Sequence, residues 1–518
     1  MSVRPSSDAL ALSLASIPGE AALRYPDRVA IVDREREYTY AALWHEILVR
    51  ARALRDELGV ESGTHVALMA SNSLNFVAEY YAILAAGAVI VPMAPMLVAD
   101  EIEYQLHDSQ VRALLLEADF SEAGLQAAER ASVSVLVLPE ELTAGAPAQP
   151  ALEQLVSRQP MDPAVLFYTS GTTGRPKGAV LTHFNLVMNC FVNAFMANKF
   201  EADDVVLGCL PLFHTFGQTV AMNSSFLVGA KVVLQRRFEP RQALELMRRH
   251  GVNFLLGVPT IYMALLEALG DDPPVPLRNC VSGGAPLPVS VLEKFEAAFG
   301  CRVKEGYGLS ETSPTATVNQ DLFGLRPGSI GHPLWGIEVE IARTEVEDRI
   351  ELLGPDELGE IVVRGHNVFD GYFGKPEATQ AALVDGWFRT GDLGLKDPDG
   401  FLYVVDRKKD MILRGGYNVY PREIEEVLAR HPAIRQVAVV GVPDDRMGEE
   451  VLAVVVLDPT APALAPEELT EWMKSRIARH KQPRIIRIAD QLPLGPSGKV
   501  LKRELRAAYQ GQPLEGSR

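Results

Sequence analysis

The clearest pattern along the chain is an alternation of short apolar runs with longer stretches that carry apolar residues at helical spacing. The first such region has mainly apolar runs at 65–70, 88–93, 112–117 and 133–138, with helix-like stretches at 74–86 and 100–107. Strands that are buried on both faces form continuous apolar runs, whereas helices that cover a sheet bury one apolar stripe. This pattern predicts a doubly wound, mostly parallel α/β sheet.

A second region repeats the alternation after a break rich in proline and alanine at 143–150. Its strand-like runs lie at 204–210, 231–235, 253–258, 278–282 and 302–305, and its helix-like runs lie at 240–250, 260–269 and 288–299. Doubly wound sheets bind ligands at the carboxyl ends of their strands. Because glycine-containing segments at 283–285 and 306–308 follow two of these runs directly, we expect a ligand site there.

The pattern changes twice more towards the C-terminus. Helical spacing disappears over 328–405, where short alternating segments and turns predict a small β-barrel. Beyond residue 409, strand-like runs at 436–442, 451–457 and 485–488 and helix-like runs at 421–430 and 466–479 predict an α+β unit. The sequence therefore predicts a large domain over 1–408, with two doubly wound α/β subdomains and the small β-barrel, followed by a small mobile domain over 409–518.

Length and composition fit a soluble protein with more than one domain. At 518 residues the chain exceeds what one hydrophobic core organises, and 47% hydrophobic and 23% charged residues are ordinary for a globular protein. A formal net charge of −17 argues against a nucleic-acid partner. The four cysteines lack metal or Cys-x-x-Cys spacing, which is typical of reduced thiols in a cytoplasmic protein.

Two apolar segments require an interpretation before a membrane location is considered. Residues 80–99 contain no charge, but Gly87, Pro92 and Pro95 interrupt them, so a buried helix at 76–86 and a strand at 88–93 are predicted instead. Residues 9–17 form a short apolar run without a convincing cleavage site after it, and we expect an N-terminal helix.

The stretch 168–178 has the features of a triphosphate site. It follows an apolar run at 164–167 that predicts a buried strand, and helix-like spacing follows it at 181–195. Its glycines allow backbone N–H groups to converge on an anion, its hydroxyls add donors and a Mg²⁺ ligand, and Lys177 adds positive charge. Its spacing differs from Gly-x-x-x-x-Gly-Lys-[Ser/Thr], which excludes the P-loop class.

Five motifs of the chain occur in the same order in one family. They lie at 168–178, 306–312, 390–392, 406–410 and 496–499. Together they resemble the adenylate-forming superfamily of acyl-CoA synthetases, amino-acid adenylation domains and firefly-type luciferases, and are most like those of fatty acyl-CoA synthetases. The resemblance implies that a carboxylic acid and MgATP give acyl-AMP and pyrophosphate, after which the thiol of coenzyme A displaces AMP.

The resemblance also implies the residues that hold the nucleotide. Those expected to contact ATP or AMP are Thr169, Ser170, Gly171, Thr172, Thr173, Gly174, Lys177, Gly284, Ala285, Glu305, Gly306, Tyr307, Gly308, Thr312, Asp392, Arg407 and Lys499. The ring of Tyr307 would stack on adenine, and both oxygens of Asp392 would accept ribose hydroxyls. Thr312 would donate to the α-phosphate, and Arg407 would lie near the ribose and phosphate.

Glu311 and Thr172 are the expected Mg²⁺ ligands. A carboxylate among phosphate-binding residues is unfavourable unless a divalent cation lies between them. Lys499 is the expected catalytic residue of adenylation, together with Glu311 and His214. Attack of a carboxylate on the α-phosphorus brings two anions together, and a lysine between them offsets the repulsion.

The second half-reaction is expected to use a different orientation of the small domain. The resemblance places a hinge at Lys409 and the segment for coenzyme A at Arg414, Gly415 and Gly416. After adenylation the small domain would turn about the hinge, remove Lys499 and present the glycine pair, which leaves a narrow passage for the pantetheine arm.

The acyl pocket is expected around His214, Phe213, Val258 and Gly283. The segment 210–218 contains no acidic residue that could hold a substrate amine, and its apolar composition favours a medium- or long-chain fatty acid. An aryl acid of the 4-coumarate type is the nearest alternative. A ligase that passes its acyl group to a carrier protein is disfavoured by the intact glycine pair at 415–416.

A regulatory protein that binds a nucleotide or acyl group without catalysis is the alternative from a different class. Against it, the predicted catalytic positions carry the expected residue types. Peripheral membrane contact and a homodimer are both compatible with the sequence, because neither requires a membrane-spanning helix.

Overall fold

The computed structural model of the protein describes residues 12–138, 150–169, 175–270, 272–444, 446–459, 461, 464–495 and 498–509. The helices are α1 Ser16–Arg24, α2 Tyr40–Leu58, α3 Leu74–Ala85, α4 Ala99–Asp108, α5 Ser121–Ala131, α6 His183–Phe191, α7 Ser224–Val228, α8 Pro240–His250, α9 Pro259–Leu269, α10 Val289–Phe299, α11 Pro376–Ala382, α12 Pro421–Leu428, α13 Pro466–Lys474 and α14 Lys502–Tyr509. Shorter π-helical turns cover Val192–Ala197 and Phe216–Asn223, and 3₁₀ turns cover Ala118–Phe120, Ser310–Thr312 and Arg479–Lys481.

The strands are β1 Val29–Asp33, β2 Arg36–Thr39, β3 His65–Met69, β4 Val89–Pro92, β5 Ala113–Glu117, β6 Ser134–Leu138, β7 Pro163–Thr169, β8 Lys177–Thr182, β9 Val205–Gly208, β10 Lys231–Leu234, β11 Phe254–Gly257, β12 Asn279–Ser282, β13 Val303–Gly308, β14 Thr315–Val318, β15 His332–Pro333, β16 Ile337–Ala342, β17 Gly359–Gly365, β18 Gly371–Tyr372, β19 Leu383–Val384, β20 Trp387–Lys396, β21 Leu402–Arg407, β22 Ile412–Arg414, β23 Tyr417–Val419, β24 Ile434–Asp444, β25 Gly448–Leu457 and β26 Ile485–Ile488.

Both predicted α/β units form sheets with parallel centres. In the first sheet the order is β18-β8-β7-β4-β3-β5-β6, and β7 to β6 of that order run parallel. In the second sheet the order is β15-β14-β13-β12-β11-β9-β10-β1-β2, with a parallel centre from β13 to β1. The predicted mixed α/β class is confirmed.

Strands β8, β1 and β18 lie where the sequence pattern did not place them. The helix predicted over 181–195 begins only at His183, because β8 pairs antiparallel with β7 and the Thr182 side chain caps α6 through Asn185. Strand β1, over a stretch for which the sequence pattern gave no prediction, belongs to the second sheet. Strand β18 comes from the predicted β module yet joins the first sheet beside β8.

The uncharged stretch 80–99 contains the second half of the buried helix α3 and the buried strand β4, as predicted for its helix and strand portions. Every residue of α3 is buried, and its cluster contains Ile31 and Val232 of the second sheet as well as Val66 and Ile90 of the first. Helix α3 therefore packs between the two sheets. Within the residues that the structure describes, no helix has the length and hydropathy that a membrane span requires.

The remaining elements form two smaller sheets. Strands β16, β17, β20, β19 and β21 make an antiparallel five-stranded sheet in the region predicted as a small β-barrel. Strands β22 to β26 make a second five-stranded sheet, which packs with α12 and α13 on one side and α14 on the other. Helix α1 begins at Ser16, later than the predicted 9–17, of which 9–11 lie outside the described residues.

An ion pair between a buried carboxylate and a partly buried arginine joins the two large sheets. Glu117, at the end of β5, is fully buried and lies 2.7 Å from the guanidinium of Arg236, which follows β10. Ser71 donates its backbone N–H and its hydroxyl to the same carboxylate at 2.9 and 2.6 Å. Asn72 adds a second link, because its amide donates to the carbonyls of Gly208 and Leu210 at 3.1 and 2.8 Å.

Replacing Arg236 with methionine should lower the free energy of unfolding by roughly 3–5 kcal/mol, because the carboxylate of Glu117 would stay buried without its cation. The first transition in urea, followed by intrinsic fluorescence, measures the change. The matched control is Arg248→Met, whose pair with Asp272 has side chains 40% and 65% exposed and should cost less than about 1 kcal/mol. Equal, small losses for both variants would contradict the role of the buried pair.

Candidate active site

A cavity of about 2740 Å³ lies where the carboxyl ends of both large sheets face the C-terminal unit. Most residues predicted from the sequence line it. They are Thr169, Lys177, Phe213, His214, Gly283, Gly284, Ala285, Glu305, Gly306, Tyr307, Gly308, Glu311, Asp392, Arg407, Lys409 and Lys499. Ser170, Gly171, Thr172, Thr173 and Gly174 lie outside the described residues. Thr169 and Lys177, on either side of that segment, are register partners of β7 and β8 and both line the cavity.

Glu311 is held at the cavity by neutral hydroxyl groups. Glu311 is 7% exposed. One of its carboxylate oxygens accepts hydrogen bonds from the Thr169 hydroxyl at 3.1 Å and from the Tyr372 hydroxyl at 3.0 Å. Burial and the nearby carboxylate both raise the pKa of Tyr372. A buried carboxylate with neutral hydroxyl neighbours fits the oxygen chemistry of a Mg²⁺ ligand.

Tyr372 is a site residue that the sequence reasoning missed. It lies on β18, which pairs with β8, the strand that begins at Lys177 of the predicted triphosphate stretch. The Lys177 ammonium lies 4.8 Å from the centre of its ring. The local pattern around 371–372 offered no signal, because the position depends on pairing between residues that are far apart in sequence.

Asp392 is oriented by two partners. Its carboxylate accepts from the Tyr307 hydroxyl at 2.7 Å and lies 3.0 Å from Nε of Arg407. The register of β20 and β21 pairs Asp392 with Arg407 directly. Because each carboxylate oxygen retains acceptor capacity, the group can still accept hydroxyls of a ligand. The pairing of Tyr307 with Asp392 was not predicted.

Lys499 reaches the cavity from the C-terminal unit. Gly284 has a φ of +80°, and a Cβ there would lie 3.4 Å from Cε of Lys499, so the lysine runs along its backbone. Burial, followed by the nearby guanidinium of Arg407, lowers the pKa of Lys499 to about 8, although Asp392 and Glu311 act in the opposite direction. A lysine with this pKa is mostly charged at neutral pH and loses its proton in mildly alkaline solution.

His214 is a neutral imidazole in this environment. Burial and, to a smaller extent, Lys499 lower the pKa of His214 to about 3. Its Nδ1 accepts the backbone N–H of Phe216 at 3.3 Å, so the ring proton lies on Nε2. The turn also needs glycine at 217, because a Cβ there would lie 2.3 Å from the carbonyl oxygen of Pro211.

Gly308, the last residue of β13, is also closely packed. A Cβ at Gly308 would lie 1.8 Å from the carbonyl oxygen of Pro314. Glu305, earlier in β13, accepts the backbone N–H of Gly328 at 2.9 Å. Burial raises the pKa of Glu305 to about 7. Its side chain thus changes charge near neutral pH.

Several predicted residues do not line the cavity. Thr312 is fully buried, and its hydroxyl donates to the carbonyls of Pro314 and Leu309, so its contact with the α-phosphate stays a prediction. Val258 lies behind Gly284, where a Cβ would be 3.5 Å from its Cγ1. The metal role of Thr172 also stays a prediction.

Arg414, Gly415 and Gly416 lie apart from the cavity, on the hairpin of β22 and β23. The guanidinium of Arg414 is held by the fully buried Glu450, with Nε 2.6 Å from its carboxylate. Gly415 and Gly416 have φ of +56° and +85°, and the Gly415 N–H donates to the carbonyl of Met447 at 2.7 Å. The expected segment for coenzyme A is thus formed but does not face the nucleotide residues.

Comparisons with known proteins give consistent matches on both sides of residue 408. A family model described as AMP-binding enzyme matches residues 19–373, and one described as AMP-binding enzyme C-terminal domain matches 423–499. The long-chain-fatty-acid–CoA ligase of Bacillus subtilis (strain 168) is 38% identical, covering 95% of this chain and 94% of that protein. The feruloyl-CoA synthase of Amycolatopsis sp is 36% identical, covering 96% of this chain and 99% of that protein.

Among solved structures, o-succinylbenzoate CoA synthetase (MenE) from Bacillus subtilis, in complex with the acyl-adenylate intermediate OSB-AMP, is similar over the whole chain. The TM-score is 0.84 at 32% sequence identity, covering 96% of this chain and 99% of that one.

Replacing Tyr372 with phenylalanine should lower kcat/KM for pyrophosphate release roughly 10-fold, the effect of losing about 1.5 kcal/mol from a hydrogen bond to a charged group. The Mg²⁺ concentration for half-maximal rate should rise as well, because the carboxylate of Glu311 loses one of its two orienting hydroxyls. The control is Tyr403→Phe, whose hydroxyl bonds Asp397 at 3.4 Å within the small β sheet. Unchanged Mg²⁺ dependence in Tyr372→Phe would show that the hydroxyl has no role at this site.

Proposed function

Since the chain belongs to the AMP-binding enzyme family and is an AMP-forming acid–CoA ligase that uses ATP, Mg²⁺ and coenzyme A, we propose that its acid is a medium- or long-chain fatty acid. The observation that carries the proposal is an apolar wall of the cavity. Phe213, Phe216 and Val220 are among the residues that line the cavity, together with Met263 and Leu266 of α9. Each methylene that enters such a wall contributes about 0.8 kcal/mol.

Helix α9 supports a long substrate. Pro259, Met263 and Leu266 face the cavity at helical spacing, which corresponds to about 10 Å of helix. The neutral imidazole of His214 adds no charge to this region. The segment 210–218 has no acidic residue, which disfavours a substrate amine.

For adenylation we propose Lys499 as the group between the two reacting anions. A buried ammonium is worth more to developing negative charge than one in water, since the local dielectric constant is low. Asp392, oriented by Tyr307 and Arg407, would accept the ribose hydroxyls. Glu311 would hold Mg²⁺, which offsets phosphate charge when it is bound.

For thioester formation we propose that the unit after Lys409 turns as a body. Lys499 and the hairpin with Arg414, Gly415 and Gly416 belong to that unit, and only Lys499 lines the cavity in this orientation. Turning about Lys409 would exchange one for the other, and the rigid support of Arg414 by Glu450 would keep the hairpin in shape. The domain boundary at 408/409 is part of this proposal.

An aryl acid is the second candidate, and one observation favours it. Ser282 lines the cavity at the end of β12, and its buried hydroxyl oxygen has no hydrogen-bond partner among the described residues. A buried polar group without a partner is costly, and a phenolic or methoxy oxygen of a substrate could satisfy it. The similarity to a feruloyl-CoA synthase agrees with this candidate.

A panel of acids distinguishes the candidates. Purified protein with MgATP and coenzyme A should form thioesters of fatty acids, with kcat/KM rising with chain length, and Ser282→Ala should leave these values within about 2-fold. For an aryl-acid ligase, hydroxylated cinnamates would be preferred and Ser282→Ala would lower their kcat/KM roughly 10-fold. Acyl-AMP that never reaches coenzyme A would indicate a carrier-protein acceptor instead.

The pH dependence of adenylation tests Lys499. Its pKa of about 8 lies below the ordinary lysine value, so its charge is present below pH 8 and is lost as the pH rises through that value. The kcat/KM for pyrophosphate release, which reports the free enzyme, should fall above pH 8. Lys499→Arg should retain partial activity and move this alkaline limb upwards, and Lys499→Ala should lower the rate by orders of magnitude. An unchanged limb in Lys499→Arg would assign it to another group.

A further inference from the structure

Two cysteines far from the cavity lie in contact. The Sγ atoms of Cys280 and Cys301 are 3.4 Å apart, and all four cysteines of the chain are free thiols. Cys280 is on β12, and Cys301 is in the short connection between α10 and β13. Since β12 and β13 are parallel neighbours, this contact lies at the amino ends of the two strands, opposite to the carboxyl ends that lead to the predicted nucleotide residues.

The geometry allows the two sulfur atoms to be joined by a small movement. A disulfide has an S–S distance of about 2.0 Å, so the sulfur atoms must approach by about 1.4 Å. Cys301 follows Gly300, which ends α10 with a φ of +63° and open space at its Cβ position. Beyond it, Glu296 fixes the chain again by accepting the backbone N–H of Val303 at 2.8 Å. The movement is therefore confined to the connection that carries Cys301.

The two thiols differ in access and in acidity. Cys301 is 8% exposed and lines a second cavity of about 600 Å³, together with Arg302 and Lys304. Cys280 is fully buried. Because the Cys280 thiol donates to its sulfur, the pKa of Cys301 is lowered, and the same contact raises the pKa of Cys280. The less buried thiol is thus also the more acidic of the two, which favours Cys301 as the nucleophile.

We propose that Cys280 and Cys301 form a peroxide-sensitive pair that closes into a reversible disulfide. The Cys301 thiolate attacks one oxygen of hydrogen peroxide, the O–O bond breaks, and Cys301 becomes a sulfenic acid while hydroxide leaves. The Cys280 thiol then attacks the Cys301 sulfur, the S–O bond breaks, and water leaves as the S–S bond forms. Two thiols and one peroxide give one disulfide and two waters.

The disulfide would close the β12–α10–β13 unit at its far edge. Gly284, two residues after the end of β12, and Tyr307, on β13, both line the cavity. Cross-linking residues 280 and 301 restricts the unfolded chain, so the oxidised protein should melt at a higher temperature than the reduced protein. Reduction by a dithiol should open the disulfide and lower the melting temperature again.

Treatment with stoichiometric hydrogen peroxide, followed by thiol alkylation and peptide mass spectrometry, tests the proposal. We expect a peptide pair linked through Cys280 and Cys301, two fewer alkylated thiols and a raised melting temperature. Cys280→Ser and Cys301→Ser should each abolish all three results. The matched control is Cys190→Ser, which removes a fully buried thiol elsewhere and should retain them.

Three outcomes would overturn the proposal. One is overoxidation of Cys301 to the sulfinic acid with Cys280 still reduced. A second is a disulfide between two molecules through Cys301. The third is formation of the linked peptides only under conditions that unfold the protein. Folding of each variant is checked from its melting curve under reducing conditions, so loss of the link cannot be confused with loss of structure.

Discussion

The proposed adenylation chemistry depends on one cation of the C-terminal unit, Lys499. Burial of its ammonium in the cavity, followed by the nearby guanidinium of Arg407, makes the charged form costly and lowers the pKa of Lys499 to about 8. Contacts with the large domain hold the unit in place. The backbone N–H of Arg422 donates to the Asp406 carboxylate at 3.0 Å, and the Arg435 guanidinium lies 2.8 Å from the Glu267 carboxylate. An anionic ligand between Lys499 and Arg407 would relieve that cost. In the proposed mechanism, nucleotide binding and the orientation of the unit would therefore be coupled, since a ligand favours the orientation that binds it better.

The sequence was most informative where periodicity is local. Continuous apolar runs identified most strands of both parallel sheets, and the interrupted run at 80–99 was interpreted correctly as a helix and a strand. It failed where a strand joins a distant partner. Strands β1, β8 and β18 are short or lie beside segments of different character, and their places are decided by pairing with residues far along the chain.

The same division holds for the site. The motifs predicted that Glu311, Asp392 and Lys499 share one site, and all three line the cavity. Glu311 is in the turn after β13, Asp392 is within β20, and Lys499 comes from the C-terminal unit. The hydroxyl partners were not predictable, since Tyr372 reaches Glu311 only through the pairing of β18 with β8. For Thr312, the motif could not reveal that the hydroxyl already donates to the carbonyl of Pro314 in the same loop.

The exchange of strands between sheets also constrains how the chain acquires its structure. The second sheet needs β1 at residues 29–33 to meet β10 at 231–234, and the first needs β18 at 371–372 to cover β8. Neither sheet is complete until most of the large region has left the ribosome. Contacts of such sequence separation are slow to form, and incomplete sheets expose open edges. The interleaving that unites the mature site would thus leave open sheet edges on the nascent chain until late in its synthesis.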